Sequence, residues 1–240
     1  MIHFKAAKSR QGKEKGNIMT MKKKELMIKT KRMVIQPMTD EEIEKLIETT
    51  DSEEMKKAYG EMLAGCKNDP EHRIWFSPFK MLLKGDHTYI GDLAFKGPAH
   101  ENAVEIGYGI LPEYEGKGYM TEAVQGMTQW AFGNEGVVFV EAETDPGNKA
   151  SQRILEKCGF IPDGEGKEGP RFVLESPLPS WMAIYMLFGL SIGTSLGSSL
   201  SSVGIGTAMG LCIGLAVGAA LDSSAKKERE KLREKRRDKT

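Results

Sequence analysis

Two hydrophobic rhythms alternate along the chain, one with period two and one near 3.6, and each change falls at a glycine, a proline or a capping residue. Ile28 to Gln36 predicts a first strand of untidy register, ended by Pro37. Thr39 and Glu42 then form a capping box for a helix whose buried stripe is Ile43, Leu46 and Ile47. A second helix, about Ser52 to Cys66, carries Met55, Ala58, Tyr59, Met62 and Leu63 at the same spacing. Ile74 to Leu83 and Thr88 to Phe95 predict two strands joined by a Lys84-Gly85-Asp86 turn, and Ala103 to Leu111 predicts the next. From Tyr119 the period returns to 3.6, with Met120, Ala123, Val124, Met127, Trp130 and Ala131 on one face. Val137 to Ala142 reads as a buried strand and Lys149 to Lys157 as a short helix closed by Gly159. Phe160 and Phe172 mark two last strands around a glycine-rich hairpin. Antiparallel strands first and interleaved helices later describe an α+β domain with a mixed sheet, spanning residues 25–176.

Both rhythms stop at Ser176. Residues 177–180, with Pro177 and Pro179, form a stiff linker, and no charged residue occurs between Glu175 and Asp222. Trp181 to Leu200 and Val203 to Leu221 would each span about 30 Å as helices, the thickness of a bilayer core. Gly189, Gly193 and Gly197 recur every fourth residue, as do Gly206, Gly210, Gly214 and Gly218, a spacing that lets helices approach closely in a membrane. In water each interior glycine would cost about 1 kcal/mol against alanine. The expectation is therefore a glycine-zipper transmembrane hairpin over 181–221, turning at Ser198 to Ser202, with homo-oligomerisation through the same glycines as a further use. A flexible Gly/Ser tail is the alternative, against which stand the Leu, Ile, Met and Val between the glycines.

Charge changes the picture at the ends. The whole chain is neutral, but residues 1–24 hold eight Lys/Arg against one acidic residue and residues 226–240 hold nine against four. Residues 25–177 carry 17 basic and 28 acidic residues, which argues against a nucleic-acid partner and suits a cationic amine or a solvated acidic surface. Residues 1–24 read as a disordered basic arm or as translated sequence upstream of a start at Met19 or Met21, and no secretory signal is expected. The charged tail, 222–240, and the domain would both lie at the cytoplasmic face of the cell membrane by the positive-inside rule, the tail as a helix touching anionic lipid or simply solvated. Cys66, Cys158 and Cys212 form no metal or redox spacing, so no metal site is expected.

The chemistry concentrates between Glu105 and Ala123, EIGYGILPEYEGKGYMTEA. A strand ends at Pro112, Gly116 and Gly118 bracket Lys117 in a tight turn, and a helix begins at Tyr119. Free amides at such a helix start make a site for a phosphate or pyrophosphate. A lone Gly-x-Gly is weak, but a second pattern follows at Asn148 to Phe160, NKASQRILEKCGF. Together the two resemble the signature motifs of the GNAT acetyltransferase superfamily, in the branch of ribosomal-protein N-terminal acetyltransferases, over roughly Met27 to Glu175. The resemblance implies a twisted mixed sheet of about six to seven strands that splays to admit acetyl-CoA, with flanking helices.

It also implies roles. Ile110, Leu111, Gly116, Lys117, Gly118, Tyr119 and Met120 would hold the cofactor, chiefly through turn amides, and Asn148 would contact its pantetheine arm or simply cap its helix. Glu105 is the candidate general base, or else one more solvent-facing strand carboxylate. Two departures stand out: Glu113 occupies a place where the family often has Arg or Gln, and Leu155 one where it often has a Tyr acid, so Ser151 becomes the candidate acid. The reading is direct acetyl transfer to a primary amine, on a small molecule or a protein N-terminus. Its rivals are a non-catalytic CoA-binding module or scaffold on an oligomerising membrane segment, and an assembly role for the glycine-rich segment with the domain as passenger.

Overall fold

The computed structural model describes residues 26–199 and 202–237; the basic arm expected over 1–24 and residues 200–201 of the expected hairpin turn lie outside the described residues. The untidy first strand proves to be two, β1 (Ile28–Lys29) and β2 (Met33–Pro37). Thr30 folds the chain back between them: its amide and hydroxyl both donate to Met33 O, and the Met33 amide donates to Thr30 Oγ1. Pro37 is the last residue of β2, paired with Phe79.

Helix α1 (Asp40–Thr49) starts on the Thr39–Glu42 capping box, as its sequence predicts, and α2 (Glu53–Asn68) on the hydroxyl of Ser52. Met55, placed on the buried stripe of α2 by its spacing, is 38% exposed, because it lies in the first turn, before the helix reaches the sheet. Residues 74–78 are not strand. Arg73–Trp75 is a 3-10 turn, and Pro78, which has no amide proton, directly precedes β3 (Phe79–Leu83). Then come β4 (Tyr89–Phe95), β5 (Ala103–Ile110), α3 (Tyr119–Phe132), β6 (Phe139–Glu143), α4 (Lys149–Lys157), β7 (Ile161–Glu165) and β8 (Pro170–Glu175).

These strands form one eight-stranded sheet in the order β1-β2-β3-β4-β5-β6-β8-β7, antiparallel except for β5 beside β6. The division of the first strand accounts for the extra member beyond six or seven. One face packs Leu93, Phe95, Val104 and Ile106 under Met120, Ala123, Val124 and Met127 of α3. Trp130, half-buried, stacks on Trp75 and Phe95. The other face takes α1 and α2 through a smaller cluster of Met38, Ile43, Tyr59 and Cys66.

After the domain come two helices long and apolar enough to cross a membrane, α5 (Trp181–Ser199) and α6 (Val203–Arg237). Leu187, Phe188, Ile192, Leu196, Ile205, Met209 and Ile213 are each more than half exposed. The glycines of the two helices face each other within the one chain, and a methyl group on Gly189, Gly193, Gly206 or Gly210 would overlap the partner helix's backbone. The charged tail is not a separate helix; α6 runs through Asp222 without a break. No glycine or proline interrupts residues 219–237, and the Asp222 carboxylate accepts from the Trp181 and Met182 amides, capping α5 instead of ending α6.

The tail of α6 is packed on the domain. Arg233 makes two hydrogen bonds of 2.5 Å to Glu175, Arg229 donates to Ser176, and Arg236 lies 2.5 Å from Glu141 and 2.7 Å from Asp163. The Arg229 and Arg236 guanidiniums lie against the Phe139 ring, 5.8 and 5.2 Å from its centre. The Arg236 and Asp163 side chains are both buried, so removing the cation unpairs Glu141 and leaves Asp163 only Arg171 at 3.3 Å, a change that costs on the order of 3 kcal/mol in buried pairs. Arg236→Met is expected to release the tail. Hydrogen exchange should speed up by about two orders of magnitude across residues 226–237 while β2–β4 stay protected.

Candidate active site

Strand β5 belongs to two ladders of unequal length. Residues 106–110 pair with β4, but only Ala103, Val104 and Glu105 pair with β6. Strand β6 then continues beside β8 as far as Glu143. Beyond Glu105 the two parallel strands part, leaving polar backbone along the inner edge of β5. At the end of β5 the chain makes a 3-10 turn at Pro112–Tyr114 and enters α3 through Gly116 and Gly118, whose φ angles of +68° and +75° are left-handed.

That turn leaves donors free. Tyr114 and Glu115 amides bond back to Leu111 and Pro112, and the Glu122 amide to Gly118. Between them, the N–H groups of residues 116–121 meet no acceptor among the described residues, and the N-cap Gly118 has no side chain to supply one. Unpaired amides converging at a helix N-terminus favour an anion.

Arg32, which the sequence reading passed over, braces this turn from the β1–β2 turn. Its amide and Nε each donate to Glu122 at 2.7 Å, a terminal nitrogen donates to Lys117 O at 2.9 Å, and its guanidinium lies 4.2 Å from the Tyr119 ring centre. Burial pushes the Glu122 carboxyl up, but the hydrogen bonds from Thr30 and Arg32 outweigh it and hold it low. Lys117, expected to add charge to the site, instead points its ammonium back to Glu113 O at 2.7 Å and over the Tyr114 ring.

Between the end of β5, the start of α3 and α4 lies a cleft of about 480 Å³. Ile110, Gly116, Gly118, Tyr119, Met120, Asn148 and Ser151 line it; Leu111 and Lys117, singled out with them, do not. The Leu111 amide is taken by Ile90 O. Asn148 caps α4, its Oδ1 accepting from the Ser151 amide. Ser151 Oγ lies 2.8 Å from the phenol of Tyr108, a second residue the sequence reading passed over. Nothing local marked it: it is one aromatic in a strand, and only the fold sets its hydroxyl beside α4. Burial pushes the Tyr108 phenol up to about 12 against the opposing pull of Ser151. Leu155 is fully buried in the core. Cys158 donates to Thr121 O, and burial pushes its thiol up to about 11, which leaves it inert.

Glu105 is not in this cleft. Side chains alternate along β5, so Val104, Ile106 and Tyr108 face α3 while Glu105, Gly107 and Gly109 face the opposite way. Glu105 is half-buried, 2.5 Å from Lys96 Nζ, and its carboxylate gathers with those of Glu143 and Glu168 within 4.8 Å of one another. Lys96 also reaches Glu168 at 2.8 Å. Burial pushes the Glu105 carboxyl up more strongly than Lys96 pulls it down, and Glu143 and Glu168 add to the rise.

A sheet split at one parallel pair, with anion-seeking amides at the mouth of the split, defines a nucleotide-type cofactor cleft. Residues 32–161, more than half of the chain, match the family described as "Acetyltransferase (GNAT) domain", and the chain belongs to that family. A relative from Bacillus subtilis strain 168, the uncharacterised N-acetyltransferase YjdG, is 34% identical over 87 residues, 36% of this chain and 52% of that protein. The chain thus spans about half the length of the curated relative it matches. Among solved structures, a ribosomal-protein alanine acetyltransferase from Vibrio fischeri superposes with a TM-score of 0.51 at 18% identity, over 65% of this chain and 98% of that one. RimL, a ribosomal alpha-N-protein acetyltransferase solved with coenzyme A, superposes with 0.51 at 12% identity, over 62% and 98%. At these identities the structures speak for the fold alone.

Because Arg32 ties the turn to Glu122 and Tyr119, its loss should loosen the free amides without unfolding the sheet. Arg32→Ala is expected to weaken coenzyme A binding about tenfold, or 1.4 kcal/mol, by calorimetry, with an unchanged circular dichroism spectrum.

Proposed function

We propose that the protein is an acetyl-CoA-dependent N-acetyltransferase that acts on a primary amine and is held at a membrane by α5 and α6. The single observation that carries this reading is the run of unpaired amides over residues 116–121 at the mouth of the parted strands. They fit the diphosphate of coenzyme A, and the polar inner edge of β5 beyond Glu105 fits its amide-bearing arm. Acetyl-CoA brings the acetyl group as an activated thioester.

The chain's own residues divide the proton work between the two faces of the sheet. Glu105, raised by burial, takes the proton that an ammonium must lose before its nitrogen can attack. On the other face Tyr108 and Ser151 form a hydrogen-bonded pair beside the cleft. A simple thiol titrates near 8.5, far below Tyr108 at about 12. Tyr108 therefore steadies a departing thiolate as a hydrogen-bond donor and keeps its proton. Burial keeps the Cys158 thiol protonated and out of the chemistry, and the transfer is read as direct, from thioester to amine. Positioning supplies much of the rest.

The charge-free apolar helices and the Lys/Arg-rich end of α6 support a membrane hairpin with domain and tail on the cytoplasmic side. Extraction of membranes at high pH should leave the full chain in the pellet.

Catalysis is expected to fall as pH drops and Glu105 protonates, with the acid limb of kcat/KM lying above the ordinary glutamate range because burial raises this carboxyl. Glu105→Gln should lower kcat by about 10²–10⁴ and remove that limb, with coenzyme A affinity unchanged by calorimetry. Saturable coenzyme A binding with no turnover of any amine by the parent protein would favour the non-catalytic binder instead.

A further inference from the structure

On the face of the sheet opposite the cofactor cleft, β5 presents the row Glu105, Gly107, Gly109, and β4 runs antiparallel beside it with Gly109 paired to Asp92 and Gly107 to Ala94. A methyl group built on Gly107 or Gly109 would meet no atom within 4 Å, so the row forms the floor of an open furrow. Helix α2 walls one side, through Tyr59. On the other side the tail of α6 covers β6 and β8, with Arg236 on Glu141, the residue paired with Glu105 across β5 and β6.

Asp92 is the unusual group in this furrow. Its surface is 9% exposed, yet it carries a carboxylate. Oδ2 accepts from the phenols of both Tyr59, at 3.0 Å, and Tyr89, at 2.5 Å. Oδ1 has no hydrogen-bond partner among the described residues, although it is not sealed from solvent. A buried carboxylate is costly unless a cation or further donors meet it. Here two tyrosines fix one oxygen and leave the other without a partner among the described residues, on the strand residue paired with Gly109. No Lys or Arg pairs with Asp92 among the described residues, whereas Glu105 has Lys96. Lys80, opposite Asp92 across β3 and β4, turns its ammonium to Glu42 instead, so among the described residues no cation meets Asp92 and a bound ligand can supply one.

Resting on the acetyltransferase reading above, we infer that Asp92, oriented by Tyr59 and Tyr89, is a specificity-determining residue that binds a second positive charge on the acceptor, so that the preferred substrates are short diamines. The spacing suits this. The reacting nitrogen belongs over Gly107, one step beyond Glu105 on the same face, where β5 and β6 have parted. Asp92 is the diagonal cross-strand neighbour of Gly107, about 7–8 Å away, a distance that a four-carbon diamine spans.

The test compares 1,4-diaminobutane with butylamine, which lacks the second charge. Calorimetry on the full chain, with and without coenzyme A, should show the diamine binding at least tenfold more tightly. Asp92→Asn should erase that preference while leaving coenzyme A affinity unchanged, and Tyr59→Phe, which keeps the carboxylate, should retain most of it. Equal affinity for the two amines in the parent protein would overturn the inference, as would an undiminished preference in a folded Asp92→Asn variant. A protein that binds no coenzyme A but still prefers the diamine would sink the acetyltransferase reading and leave the cation site standing.

Discussion

Strand β5 is paired with β6 for only three of its eight residues, Ala103 to Glu105, and with β4 over the other five. This shortfall is the constraint from which the site follows. Parallel neighbours can stay paired only while the segments leaving them permit it, and here β5 turns at Pro112 into α3 whereas β6 follows β8. The resulting gap passes between the two faces of the sheet. One face presents free amides and the Tyr108–Ser151 pair; the other presents Glu105 over a glycine floor. The proposed reaction, between a bulky anionic donor and a cationic acceptor, would use these two faces as separate entrances, with the reacting atoms meeting where the strands have parted.

Electrostatics keep the two entrances distinct. The proposed donor side combines backbone dipoles with the α4 cations Arg153 and Lys157 in the cleft lining, while Lys117 is folded away onto Glu113 O and Arg32 is spent on Glu122, Lys117 O and Tyr119. Fixed amides need no reorganisation when an anion arrives. The acceptor side is lined with carboxylates, most of them matched by Lys96 or by the arginines of α6. Asp92 stands apart from these: burial pushes its carboxyl up more strongly than the Tyr89 and Tyr59 hydroxyls pull it down, and no Lys or Arg among the described residues pairs with it.

Much of this was legible in the chain, for local reasons. The capping box at Thr39, the short helix at Lys149, the two left-handed glycines and the strand before them are set by residues close in sequence, and they stand where their sequence puts them. What was not legible depends on contacts across the fold. Arg32 and Glu122 are 90 residues apart, and nothing in the local pattern of either announces the other. Tyr108 looked like one aromatic in a strand until the fold brought Ser151 to its hydroxyl. Asp92 sat within an alternating strand pattern, and only the packing of α2 showed that it was enclosed. Glu105 stands on the strand predicted for it, but the period-two rule had to be combined with the position of α3 to show that it faces away from the cleft at α3 and α4. The first strand was misjudged because Thr30, a β-former by composition, makes a hydroxyl-closed turn here.

The C-terminal extension is bound into the same logic. Because α6 continues unbroken from its glycine-faced apolar part into the arginines that grip Glu141, Asp163 and Glu175, the helix pair and the catalytic domain share one rigid element. Asp222, bonded to the first amides of α5, fixes the register of that pair at the level where charge reappears in the sequence. Embedding α5 and α6 in a bilayer would then set the height and tilt of the sheet above it, since no flexible segment intervenes on the α6 side. Arg236 stands on Glu141, the neighbour of Glu105 across the strand pair, so the same helix forms a wall of the acceptor furrow. The proposed anchoring and the proposed acceptor face would thereby be coupled through a single row of arginines, which gives a change in how α5 and α6 pack a direct mechanical path to that face.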